Sequence, residues 1–140
     1  MADAQAVIIV HTLEHTVAAL RVAASMNLPV TLQSAPDAVH YAGSLYLLRM
    51  FEAACEQVPE AKAAFILDCG DSGAQVLGAL QAGHRAIRTC AKPALTAKLA
   101  DITGQYGAQL YNAPYDCIDL HHERDIEAAC RNWLMAHAKD

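Results

Sequence analysis

The segment Ala63–Cys90, AAFILDCGDSGAQVLGALQAGHRAIRTC, reads as strand, glycine-bearing turn, short helix and second strand. AAFIL is an apolar run without alternation, the pattern of a parallel strand buried on both faces. Asp68–Gly73 (DCGDSG) turns the chain. Val76, Leu77 and Leu80 then give the helix its apolar side, and Gly83 ends it, because glycine accepts the left-handed backbone that closes a helix. Ala86–Thr89 (AIRT) is the strand that follows.

Working outward, the same unit recurs. Val7–Val10 (VIIV) is a second unbroken β-branched run, whereas Val30–Gln33 (VTLQ), Ala86–Thr89 (AIRT) and Gln109–Tyr111 (QLY) carry polar residues and read as peripheral strands. Thr12 caps a first helix with a stripe of Leu13, Val17, Leu20 and Ala24. A second is expected from Asp37 to about Val58, with a broad apolar side including Tyr41, Leu45 and Leu48. Pro93 opens a fourth that ends at Gly107, and the last runs from about His122 to Ala138. Asn112–His121 (NAPYDCIDLH) is expected to be the longest loop.

Five strands alternating with five helices predict one α/β domain over residues 1–140. The expected architecture is a three-layer α/β/α sandwich on a five-stranded parallel sheet. Right-handed crossovers, with the two most buried strands central, give the flavodoxin-like order 2-1-3-4-5.

Composition sets bounds on function. The net charge of −5 and scattered basic residues exclude a phosphate-backbone partner, so no nucleic acid is expected. No apolar run is long enough to span a bilayer, and MADAQAVIIVH lacks the basic start of a signal peptide. A cytoplasmic location is therefore expected. The five cysteines are odd in number and contain no CxxC, so they read as free thiols, with no metal site. A hydrophobic content of 54% is high enough to predict a homo-oligomer, formed through the helix around Tyr41, Leu45 and Leu48.

In the order 2-1-3-4-5 a ligand crevice lies beyond the carboxyl ends of the first and third strands. The residues expected there are His11, Thr12, Asp68, Gly70, Asp71, Ser72 and Gly73, with Cys90 and Lys92 closing the side. Glycines let a backbone approach a ligand and helix N-termini attract anions. Capping alone equally explains Asp71 and Ser72, and DCGDSG has neither the P-loop nor the GxGxxG pattern. His11–His15 (HTLEH) matches HxxEH formally, but His11 ends a strand, so the metalloprotease reading fails. His121 and His122 read as solvent-exposed, and Cys69 and Cys90 as unreactive thiols.

Three family resemblances are partial. Asp68 and Thr89 stand where response-regulator receiver domains carry functional residues, but the acidic pair and the lysine of that family have no counterpart here. Asp71-Ser72-Gly73, Pro93-Ala94-Leu95 and Thr103-Gly104 resemble STAS-type anti-sigma antagonists over about a third of the chain. Ala79–Ile87 (ALQAGHRAI) looks like a unit of a βα barrel, which five units cannot close. The sequence reading is thus a domain of unassigned function that binds a small polar or anionic ligand at the carboxyl edge. A non-catalytic oligomeric interaction module is its alternative. No reaction or cofactor is identified, and His11 or Asp68 would carry a proton if there is catalysis.

Overall fold

The computed structural model describes residues 6–138. Its order is β1 (Val7–Val10), α1 (Leu13–Ser25), β2 (Val30–Ser34), α2 (Ala38–Ala42), α3 (Ser44–Gln57), β3 (Ala63–Asp68) and α4 (Gly73–Ala82). It continues with β4 (Ala86–Arg88), α5 (Pro93–Gln105), β5 (Gln109–Tyr111), β6 (Cys117–Asp119) and α6 (Ile126–His137). A 3-10 turn, Leu120–His122, joins the last two. Residues 1–5, part of the stretch MADAQAVIIVH on which the signal-peptide expectation rests, lie outside the described residues.

The fold is α/β with an all-parallel sheet, as expected, but the order is corrected. Six strands run β5-β4-β3-β2-β1-β6, not 2-1-3-4-5. Two local causes explain the difference. The stretch expected to be a loop holds β6, whose Cys117 and Ile118 pair in parallel with Val7 and Ile8 of β1. And β2 pairs with β3 as well as with β1, so it is an interior strand. Its Gln33 made it read as peripheral, yet Gln33 is buried and its side-chain oxygen accepts a hydrogen bond from the Tyr115 hydroxyl.

Sequential order changes the layering too. Each crossover from β1 to β5 steps in the same direction, so right-handed connections put α1 to α5 on one face. Contacts between α6 and α1, α1 and α3, α3 and α4, and α4 and α5 form a continuous row along that face. The second helical layer of a sandwich is therefore not formed. Ile8, Leu32, Phe65, Leu67, Ile87 and Leu110 face the helices and join Leu20, Ala23, Val76 and Leu99 in the main core. On the opposite face Val7, Ile66 and Ala86 make a smaller cluster, against which Tyr111 and Tyr115 pack.

The connection from β5 to β6 requires that sheet to curl. Five residues, 112–116, link its two edge strands. Such a link reaches at most ~22 Å. Across a flat sheet the edges would lie ~24 Å apart, with a further ~13 Å back along the strands. Curvature brings the edges together, and the linking segment lays Tyr115 over the inner face. Sequential parallel strands, outer helices and a last strand beside the first are the pattern of a βα-barrel wall.

The expected second helix is two helices. Gly43 has φ +88°, a conformation that side chains other than glycine disfavour, and it separates α2 from α3. Beneath α3 the Phe51 and Phe65 rings stack at 5.1 Å, and His84 lies beside Phe65. His84 is 2% exposed, and its Nε2–H donates to the Ser44 carbonyl at 2.7 Å. Burial pulls its pKa below the ordinary 6.5, with the Ser44 bond working against the fall. The native state thus keeps His84 neutral where the unfolded chain has already taken up a proton. Stability is full above pH 6.5 and falls as the pH drops from there towards the lower native value. The slope from this group is at most about 1.4 kcal/mol per pH unit. Melting temperatures between pH 7.5 and 5 should show that decline, and His84→Gln, which keeps a donor near Ser44, should flatten it.

Candidate functional site

Every strand delivers its last residues to the same rim of the curled sheet. At the β1 end, Thr12 Oγ1 accepts from the His15 backbone N–H at 3.1 Å and so caps α1. His11 lies between the strand end and this cap. Its Nε2 is 2.6 Å from Oδ1 of Asp119, at the end of β6, and both side chains are about a quarter exposed (25% and 27%). The same carboxylate oxygen accepts the His121 backbone N–H at 2.9 Å.

These bonds fix proton positions. Burial works against ionisation of Asp119, but the His121 N–H and the His11 side chain outweigh it and hold the carboxyl below its ordinary range. An ionised carboxylate only accepts, so His11 Nε2 is the donor, and whenever the ring is neutral its lone pair is on Nδ1. His15 is oriented in the opposite sense, since its Nδ1 accepts the His11 backbone N–H at 3.1 Å and its ring proton sits on Nε2. Burial, then the neighbouring His11, lowers the His15 pKa. The His121 ring lies 4.9 Å from that of His11. An imidazole with a free lone pair, held by a carboxylate, beside an imidazole with a free N–H is a proton-transfer arrangement.

On the other side of β2, the turn after β3 is tied down. Asp68 donates its backbone N–H to Ser34 Oγ, and its Oδ1 accepts the Gly70 N–H, both at 2.9 Å. Gly70 has φ +58°, and its carbonyl takes the Cys90 N–H and the Thr89 hydroxyl, again at 2.9 Å. Ser72 caps α4 through Gln75 N–H, while Asp71, Cys90 and Lys92 are exposed. Gly73 packs against α5, with Leu95 and Leu99 side chains 3.7 Å from where a Cβ would stand. Burial, then Asp68, pushes the Cys69 thiol up to about 12, which leaves it unreactive near neutrality.

The nine residues expected to form a crevice are therefore on one rim but not in one switch-point cleft. β2 separates His11 and Thr12 from the Asp68–Gly73 turn. Thr12 and Ser72 are helix caps, and Asp68 closes its own turn. The sequence reading missed Asp119, Arg88 and Tyr115, and it read His121 as solvent-exposed, as the structure has it. Asp119 sits in a three-residue strand, too short for periodicity to reveal. Arg88 is the last residue of β4 and pairs in register with Asp68 of β3 and Tyr111 of β5. Its guanidinium carbon lies 4.3 Å from the centre of the Tyr115 ring. Among the described residues, no group of three or more His, Cys, Asp or Glu side chains is placed to hold a metal ion.

Residues 3–91 match the sequence model of fructose-bisphosphate aldolase class-II, from before β1 to just past β4. The chain belongs to this aldolase family. That finding corrects the sequence reading of a domain without assignable function, and the non-catalytic interaction module falls with it. A crystal structure assigned as a fructose-1,6-bisphosphate aldolase from Coccidioides immitis is similar in fold, with a TM-score of 0.59 and 23% identity. The likeness covers 74% of this chain and 39% of that one, so the present chain spans well under half the length of this aldolase. No curated protein matches the chain. No helix among the described residues is long and apolar enough to cross a membrane.

Proposed function

We propose that this chain performs aldolase-type chemistry, making or breaking a carbon–carbon bond next to the carbonyl of a small phosphorylated sugar, at the carboxyl rim of the curled sheet. The observation that carries the reading is the family match over residues 3–91, which includes the segments supplying His11 and Asp68 to that rim. Aldol cleavage starts when a base removes the proton of the hydroxyl β to the carbonyl. The carbon–carbon bond then breaks, its electron pair becomes the enolate, and a proton returned to carbon releases the ketone. His11 is the base, through Nδ1, and Asp119 is its orienting partner, stabilising the imidazolium that forms. His15 offers its Nε2–H to developing oxygen charge. Thr12, Gly70, Asp71, Ser72, Gly73, Cys90 and Lys92 frame the rim, and Asp68 is a second carboxylate at its β3 side.

Fructose 1,6-bisphosphate incubated with purified protein, with and without a divalent metal, should yield triose phosphate measurable by a coupled assay. No product with this or any other ketose phosphate would remove the reading.

Two further features belong to the proposal. The five cysteines are all free, which fits a reducing compartment and a cytoplasmic enzyme. Tyr41, Leu45 and Tyr46 are exposed on α2 and α3, with Leu48 half-buried beside them, and this side mediates self-association. Leu45→Glu should then halve the mass seen by sedimentation. An unchanged mass removes the interface.

A further inference from the structure

We infer that Arg88 anchors an oxyanion of the ligand, a phosphate or carboxylate group, at the mouth of the curled sheet. The inference rests on the aldolase reading for its substrate class but on separate observations for its site.

Arg88 ends β4, between Asp68 and Tyr111, on the face turned away from the helices. Its Nη1 is buried and has no hydrogen-bond partner. Among the described residues neither ion pair involves it: those are His11 with Asp119 and Arg49 with Glu52. The nearest carboxylate in register, Asp68, instead gives its Oδ1 to the Gly70 N–H. The Tyr115 ring covers one face of the guanidinium, and the Tyr115 hydroxyl is engaged with Gln33. Arg88 is thus a half-buried cation with a supporting ring and, among the described residues, no ion-pair partner.

A cation partly withdrawn from water is costly unless an anion faces it. A surface arginine avoids that cost by extending into solvent, as Arg49 does. Arg88 cannot do so from an inward-facing strand position under Tyr115. Its planar fork suits two oxygens of one phosphate or carboxylate, a geometry lysine does not reproduce. Tyr115 lies on the segment 112–116 between β5 and β6, outside any helix or strand.

Inorganic phosphate and acetate are the probes, titrated at constant ionic strength and followed by melting temperature and calorimetry. At least one should bind, and Arg88→Met should weaken it tenfold or more. The preferred anion separates a phosphate from a carboxylate anchor. Failure of both to bind, or a change under twofold in Arg88→Met, overturns the inference. Should that variant not fold, modification of the wild-type protein by an arginine-selective dicarbonyl decides the matter. The bound anion should protect Arg88 and leave Arg49 reactive, and unprotected Arg88 overturns the anchor. Anion binding that depends on Arg88 without any aldol cleavage would retain the anchor and remove the catalytic reading. Cleavage with KM unchanged in Arg88→Met would do the reverse.

Discussion

Replacing His11 with asparagine should lower kcat/KM for aldol cleavage by about 10²- to 10⁴-fold, the range associated with losing a positioned general base. The expectation follows from proton bookkeeping at the rim. Asp119 is held ionised by the His121 N–H and by His11, so His11 must donate through Nε2 and keep Nδ1 as its basic atom. Asparagine can still hydrogen-bond, but it does not accept a proton near neutral pH. Asp119→Asn should cost at least tenfold, because the amide neither fixes the same tautomer nor stabilises the imidazolium. Both side chains are partly exposed, so melting temperatures should stay within a few degrees of wild type. Full activity in His11→Asn would transfer the base role to another group.

A second large effect separates the two faces of the sheet. Leu32→Ala should destabilise the protein by about 2–5 kcal/mol, as a large-to-small change does in a packed core. Leu32 is 0% exposed, sits in register between Ile8 of β1 and Phe65 of β3, and faces the helices. Its neighbour Thr31 points to the opposite face, where its register partner Ala64 is exposed, so Thr31→Ala should cost less than about 1 kcal/mol. Urea unfolding of the two variants measures the contrast. Helices on both faces would make the costs similar.

The sequence carried the strands and helices further than it carried their arrangement. VIIV and AAFIL announce themselves because buried parallel strands are apolar without alternation, and both are found where that pattern puts them. Strand order was not legible by the same rule. Gln33 is polar in sequence but buried and bonded to Tyr115, a partner 82 residues away that no local pattern discloses. Gly43 was present to mark the break between α2 and α3, yet the apolar run on both sides of it masked the signal.

The site was legible in part for a related reason. His11 and Asp68 could be assigned to a carboxyl rim from strand ends alone. Asp119 could not, because a strand of three residues within NAPYDCIDLH looks like loop until β1 is seen to pair with it. Arg88 was hidden by being one basic residue among ten. Only its inward register and its orphaned nitrogen set it apart.

The most direct test of the rim chemistry is the half-reaction, followed by NMR in deuterated buffer with dihydroxyacetone phosphate. An aldolase must remove and return a proton on the carbon beside that carbonyl. The wild-type protein should therefore catalyse incorporation of one deuterium at one face of that carbon, and His11→Asn should slow it at least a hundredfold. Exchange no faster than in buffer, or equally fast in His11→Asn, would contradict the account.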